Sequence, residues 1–502
     1  MNSTMTSRTP FLVTFVVLSV AVGSYALLQS MVIPVLHQLK DSLDTDQAGV
    51  TWIFTANLLS ASIFTPILGR VGDAVGKGKI LTIVLIALSV GSVVAALASS
   101  LAVMLIGRVI QGAGGATLPL AFGIIRDEFP ERHTALGISV TSALMGAASG
   151  LGITVAGPIV NTFGLDGLFW LPAIVTAVAA GVAGLFIPES PVRTPGRISF
   201  LPAVWLSGWL VAILLALSQG QAWGWSSPVI IGLLTGGVVL IGVWVISERR
   251  ARVPLIDMHM MRLPGVWTTN LVALLVGVGM YATFAFVPEF LQTDPRLAGY
   301  GFDTTISQSG LILLPQAVMM FVLGLVSARI SRVLGPKRAV VIGSAISATG
   351  LASISAAHSH VWQFYVANAL LGIGIGLVFA CLANLIVAAV PAQQTSVASG
   401  MNANIRTIGG AIGTAMMTAI VVSHPHASGI PSEAGFTIGF AALAAAMLAA
   451  AVAALLIPTV SEAELEERLE SDELSGQAVG QRVDGELVAA CPRAGNDGDR
   501  DG

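Results

Sequence analysis

Between Phe11 and Pro458 the chain passes fourteen times through apolar runs, near 11–36, 50–69, 80–98, 101–125, 134–160, 168–187, 201–218, 228–247, 264–291, 309–328, 339–356, 361–389, 398–422 and 436–457. Each is close to the roughly 20 residues an α-helix needs to cross a hydrocarbon core about 30 Å thick. No soluble core could bury so many. Of the 502 residues, 55% are hydrophobic and only 10% are charged, and mean hydropathy is +0.84. In lipid every backbone polar group must be satisfied internally, so the pattern predicts an all-α membrane protein with 14 transmembrane helices. The first run is longer than a signal-peptide core and lacks a small-residue cleavage site followed by a polar segment, so it is read as a span.

Lys and Arg fall unevenly between these runs. Connections after the even-numbered spans carry fifteen of them, among them Lys77, Lys79, Arg126, Arg193, Arg197, Arg252, Arg332 and Arg338, whereas the opposite connections carry two, Lys40 and Arg296. The positive-inside rule then places the even connections and both termini in the cytoplasm. Arg outnumbers Lys 20 to 4, as in proteins of GC-rich bacterial genomes, which suggests a bacterial inner membrane. A net charge of −3 gives a nucleic-acid partner no support. Cys381 and Cys491 have neither disulfide nor metal-ligand spacing, and no Gly-Lys-Ser/Thr phosphate loop occurs. No metal site, cofactor or enzymatic activity is expected.

An internal repeat is visible at a nearly constant displacement. The stretch Gly69 to Lys79 has a degraded counterpart in Ala328 to Arg338, 259 residues on. Arg108-Val-Ile-Gln111-Gly112 aligns with Asn368-Ala-Leu-Leu371-Gly372 at 260, and Pro130 with Pro391 at 261. The pattern predicts two six-helix pseudo-symmetric bundles, within 1–187 and 264–457, separated by a linker, 188–263, that carries an extra two-helix hairpin. Residues 458–502 form a polar tail, read as a short acidic helix running into disorder on the cytoplasmic side.

The stretch Gly69-Arg-Val-Gly-Asp73-Ala-Val-Gly76-Lys77-Gly-Lys79 reads as a tight connection between two spans. Glycine permits the turn and a close helix approach, while Asp73 can cap a helix or pair with a cation such as Arg126. This suggests a latch at the cytoplasmic face, with Asp127 beside it. Arg108 lies inside its span with Gln111, Gly112 and Gly115 at helical i, i+3, i+4 and i+7 spacing, so it either faces a central cavity or snorkels to an interface.

These motifs resemble those of the major facilitator superfamily. Gly69, Asp73, Gly76, Lys77 and Lys79 match its signature between the second and third spans. Leu105 to Gly112 resembles its fourth-span motif, and Gly150, Gly152, Gly157 and Pro158 resemble the Gly-Pro motif of exporters. Asn402-Ala-Asn404-Ile-Arg406-Thr-Ile-Gly409-Gly410 is similar to the thirteenth span of the fourteen-span drug:proton antiporter branch.

The resemblance implies alternating access about a central site and export of a small lipophilic compound against inward protons, by a monomer in the bilayer. It implies a proton-coupling role for Arg108 and a hinge at the Gly-Pro motif, and its cavity helices point to Tyr25, Gln29, Asn57, Gln111, Tyr281, Phe284, Gln316, Asn368 and Asn384 as lining residues. The branch ordinarily has an acid in the first span about nine residues before its proline; here that position, counted from Pro34, is Tyr25. Glu289, beside Pro288 near the end of the ninth span, is the substitute coupling candidate, or else an interfacial carboxylate open to water. A specific metabolite carrier, uniporter or symporter, is the alternative reading.

Overall fold

The computed structural model describes residues 11–45, 47–187, 189, 200–251, 253–424 and 431–458, and what lies up to Ile457 forms one compact unit. The acidic tail helix and the connection residues Arg193, Arg197 and Arg252 lie outside the described residues. Among the described residues fourteen helices are long and apolar enough to span a membrane. They are α1 Phe11–Met31, α2 Gln47–Val75, α3 Lys77–Ala96, α4 (Leu101–Gln111 and Thr117–Glu128), α5 Glu131–Phe163, α6 Gly167–Phe186, α7 Phe200–Trp223, α8 Pro228–Arg250, α9 Pro264–Gln292, α10 Ile306–Leu334, α11 Pro336–Ala356, α12 Val361–Ala388, α13 Thr395–Val422 and α14 Glu433–Ala454.

Three local outcomes differ from the sequence pattern. The first apolar run is not one helix to residue 36: α1 stops at Met31, and a 3-10 turn, Ile33–Val35, precedes a short helix, Leu36–Ser42. Pro34 supplies no backbone donor, which breaks the ladder there. In α4, the Gly112–Ala116 stretch winds as 3-10 helix between two α-helical segments. Its glycines let Tyr25 and Ser60 pack against bare backbone; a Cβ on Gly114 would lie 2.5 Å from the Tyr25 ring. The stretch from Gly69 to Lys79 is helical up to Val75 and again from Lys77, so the connection is the single residue Gly76 at φ 141°. Its repeat partner Gly335 makes the same one-residue connection at φ 81°, in a region L-residues avoid.

Two six-helix bundles, α1–α6 and α9–α14, pack with the hairpin α7/α8 as an insert. Their likeness extends to single hydrogen bonds. Arg108 Nε donates to the Ile53 carbonyl at 3.1 Å, and Asn368 Nδ2 donates to the Ile312 carbonyl at 3.3 Å, both partners being related by the repeat displacement. Gly91 abuts the backbone of Gly107 and Gln111, as Gly350 abuts Ala367 and Leu371. A polar core in one bundle is matched by a milder amide core in the other.

The bundles meet along two seams. On one, α5 packs against α10 from Ala143/Gly324 to Gly157/Ser307, where glycine on one helix meets a small or flexible side chain on the other, and Thr154 Oγ1 donates to the Gly310 carbonyl at 2.8 Å. On the other, α2 and α13 touch between Ser62 and Asp73 on one side and Ser396 and Asn404 on the other. Towards the opposite end of that seam, α7 packs on both helices, and Thr55 Oγ1 and Ser218 Oγ lie 2.8 Å apart. The hairpin itself closes through Trp209 and Trp244, with ring centroids 5.7 Å apart. Glu248 at the end of α8 is buried and accepts from Trp244 Nε1, Leu255 N and Ile256 N, which pins the segment that leads into α9.

Candidate functional site

The face bearing the even-numbered, Arg- and Lys-rich connections is closed by a cluster reaching from the first bundle into the second. Asp73, fully buried at the end of α2, accepts the Val397 amide N–H at 3.2 Å. Val397 belongs to the first turn of α13, whose N–H groups have no intrahelical partner, so the carboxylate sits on the positive end of that helix. Lys77, also fully buried, lies 3.6 Å from Asp73 and pairs with Asp127. Arg126 Nη1 is 2.7 Å from both the Val387 and Val390 carbonyls and 2.8 Å from Thr395 Oγ1, so a guanidinium covers the negative end of α12. Two further bonds cross nearby, Asn404 Nδ2 to the Ser62 carbonyl at 2.6 Å and Asn384 Nδ2 to Ser139 Oγ at 2.7 Å. A Cβ on Gly69 would stand 3.0 Å from the Ser396 carbonyl oxygen. Lys79 is exposed and takes no part.

A cavity of about 350 Å³ lies between the bundles, displaced towards the other face. Its lining includes Gln29 in the last turn of α1, Phe54 and Thr55 early in α2, and Leu217, Ser218 and Gln221 at the end of α7. Met145, Ser149, Met280, Tyr281, Phe284, Phe379, Thr407 and Thr414 complete much of the wall. No Asp, Glu, Lys, Arg or His is among the lining residues. An apolar chamber of this size with scattered hydroxyls and amides suits a small lipophilic ligand.

Of the nine expected lining residues, Gln29, Tyr281 and Phe284 line this cavity. The other six do not, being packed between helices away from it. Tyr25 packs on Gly114; Gln111 accepts from Arg108 and donates to Ser92; Asn368 holds the Ile312 carbonyl; Asn384 crosses to Ser139. Asn57 and Gln316, related by the repeat displacement, are buried in the bundles.

Arg108 neither snorkels nor faces the cavity. It is fully buried, held by Ile53 and by Gln111 Oε1 at 2.8 Å, while its Nη2 makes no hydrogen bond. Glu289 does not join it: its side chain is exposed, one turn beyond the cavity-lining Ala285 on the same face of α9. The two coupling candidates, Arg108 and Glu289, are therefore not brought together. Of the Gly-Pro motif, Gly150 and Gly157 face α10 and Gly152 faces α1, while α5 continues unbroken through Pro158. In the second-half motif Arg406 is buried with its guanidinium 4.2 Å from the centroid of Phe379, Gly409 abuts the Leu274 backbone, and Gly410 abuts the Tyr281 ring and lines the cavity.

The sequence profile described as Major Facilitator Superfamily matches residues 18–244, 193–414 and 269–483. The chain belongs to the Major Facilitator Superfamily. It is similar to the tetracenomycin C resistance and export protein of Streptomyces glaucescens, 28% identical over 413 residues that cover 81% of this chain and 75% of the relative. It is also similar to the cephamycin export protein CmcT of Amycolatopsis lactamdurans, at 29% identity over 85% and 88% of the two chains. The crystal structure of the human organic anion transporter MFSD10 matches with a TM-score of 0.64 at 16% identity, covering 89% of this chain and all of that one, which speaks to the fold alone.

This superfamily member is thus a multi-pass membrane transporter rather than an enzyme. Sequence reasoning missed its α7 wall, formed by Leu217, Ser218 and Gln221 of the insert, and the acceptors and donors of the closing cluster, which are mostly backbone atoms of residues 387–397. Ser218 and Gln221 in the last turns of an otherwise apolar run were the available signal.

Proposed function

We propose that this chain exports small lipophilic, drug- or antibiotic-like compounds across the bacterial plasma membrane by alternating access, the basic face being cytoplasmic and the conformation described here outward-facing. The observation that carries this reading is the apolar cavity lying on one side of a buried, charged closure between the bundles. The positive-inside distribution supports the orientation, and the export functions named for the relatives support the direction of transport. In this scheme the cluster of Gly69, Asp73, Gly76, Lys77, Arg126 and Asp127 is the cytoplasmic gate, with the bundles bounded as 1–187 and 264–457. The protein works as a monomer with both termini inside.

Inward protons supply the drive, with Glu289 as the carboxylate that meets external water in this state. Purified protein in proteoliposomes tests both parts. A panel of lipophilic antibiotics and dyes should move with the orientation of the protein, and an imposed pH gradient should accelerate the movement and be dissipated by it. Transport of no panel member ends the export reading. Transport indifferent to the gradient, or unchanged in Glu289→Gln, ends the proton scheme alone and leaves the uniporter reading, which the tyrosine at position 25 favours.

A further inference from the structure

Two guanidiniums are buried in the middle of this protein, and among the described residues no carboxylate pairs with either. Arg108 in the first bundle is fully buried and bonds a backbone carbonyl and Gln111; Tyr25 is the titratable group that bears on it electrostatically among the described residues. Arg406 in the second bundle is buried against the Phe379 ring and Asn402 Oδ1 at 3.5 Å, and Tyr281 is the titratable group that bears on it. Tyr25 and Tyr281 in turn act on each other electrostatically, which links the two Arg–Tyr pairs across the bundles. On each arginine one nitrogen, Arg108 Nη2 and Arg406 Nε, is buried without any hydrogen bond.

Arginine stays protonated in proteins, so neutral partners leave both charges in place. Within a low-dielectric wall a buried charge is only weakly screened, and its field reaches the cavity, two of whose lining residues, Phe379 and Tyr281, are Arg406's own neighbours. The lining itself offers nothing to oppose it, having no ionisable side chain except tyrosine. The nearest carboxylate on a cavity helix, Glu289, is exposed one turn further towards the open face.

We propose that the cavity selects lipophilic anions, aromatic or similarly apolar compounds carrying a carboxylate or phenolate, over lipophilic cations. This rests on the export reading and names its substrate class. The negative group sits above the Phe379/Tyr281 floor, where Arg406 and Arg108 attract it. Glu289 lies on the way out, where like charge favours release. An interior-negative membrane potential adds to the outward drive on an anion. A carrier for such cargo has no need of the first-span acid whose place Tyr25 takes.

The test uses the full chain in lipid nanodiscs and two xanthene dyes of similar shape and opposite charge, fluorescein and rhodamine 6G, with binding read by fluorescence anisotropy. Fluorescein should bind at least about ten-fold more tightly. Arg406→Gln should cut its affinity by about ten-fold and leave rhodamine 6G within about two-fold, while Arg406→Lys keeps the preference. Tyr25→Glu, which sets a carboxylate beside Arg108 without touching Arg406, should narrow or reverse the preference, so the inference stays open to refutation even if one variant fails to fold. Equal or tighter binding of rhodamine 6G, binding of neither dye, or a ratio unmoved in both Arg406→Gln and Tyr25→Glu overturns it. Export of rhodamine 6G but not fluorescein from proteoliposomes would sink this inference and leave the export reading standing.

Discussion

Along the α5/α10 seam the bundles touch from one face of the molecule to the other through glycine and small side chains, whereas the α2/α13 contacts run from mid-span to the basic end and finish there in buried charge. The first seam has no ionisable group among its contacts from Gly324 to Ser307; the second is fastened by Asp73, with Lys77 and Asp127 behind it. Close small-residue packing in a membrane gains from dispersion and forgives sliding or rocking, because no single strong contact must be broken. A buried charge cluster is all or none. The comparison teaches that a rocking carrier can use one seam as a bearing and the other as a switch.

The largest effect should come from unbalancing the switch. Lys77→Met leaves Asp73 and Asp127 buried with their shared cation gone, a loss of about 3–5 kcal/mol from the closed arrangement. A Ser396→Cys probe, buried beneath the closed α2/α13 contact, should then react with a water-soluble thiol reagent at least ten-fold faster than in the parent. An unchanged labelling rate would mean that the charges are not what holds the seam shut.

Overfilling the bearing should come next. Gly324→Leu drives a branched side chain into Ala143 at the basic end of the α5/α10 seam, a strain of about 1–3 kcal/mol spread over both bundles. The expected reading is a lowered thermal midpoint and slowed transport with no rise in Ser396→Cys labelling. A rise in labelling would show that the two seams are not independent.

Much of this division was legible before any coordinates. The span count follows from hydropathy, since lipid leaves a chain few choices, and the repeat near 260 residues from spacing; Asp73 reads as a helix cap or a partner for a cation such as Arg126, but Arg126 covers the end of α12 and Lys77 is the cation beside Asp73. The cavity was not. Asn57, Gln111, Asn368 and Asn384 are polar residues in membrane helices, and nothing in the sequence says whether such a side chain points at a ligand or at the next helix. Here Gln111, Asn368 and Asn384 bond to neighbouring helices, and Asn57 is buried in the first bundle. The latch partners were equally hidden, because Val387, Val390 and Val397 act through backbone atoms exposed by helix ends.

The insert's role at the switch seam invites a smaller perturbation. Ser218→Ala removes the hydroxyl facing Thr55 and keeps the shape of the α7 wall, so it should cost about 0.5–1.5 kcal/mol of the docked hairpin. Hydrogen exchange in α7 should rise while that of α10 stays as it was. Equal change in both helices would mean that α7 is not held by this contact.

The smallest single change, Gly400→Ala, belongs to a matched pair that separates the seams most cleanly. A Cβ on Gly400, in the α2/α13 contact, would meet the Thr65 carbonyl oxygen at 3.3 Å and Pro66 Cα at 3.4 Å, which a shift of a few tenths of an ångström relieves. The helix-propensity gain of alanine over glycine, roughly 0.5–1 kcal/mol, offsets that strain, so Gly400→Ala should leave stability within about 0.5 kcal/mol of the parent. A Cβ on Gly310, in the α5/α10 contact, would stand 2.8 Å from Thr154 Cα, and backbone in a packed helix cannot turn aside as a side-chain end can. Gly310→Ala should therefore be the more damaging of two chemically identical changes, by about 1 kcal/mol or more in thermal-unfolding comparisons. If Gly400→Ala proves the worse, the tighter seam is the charged one, and the roles of bearing and switch must be exchanged.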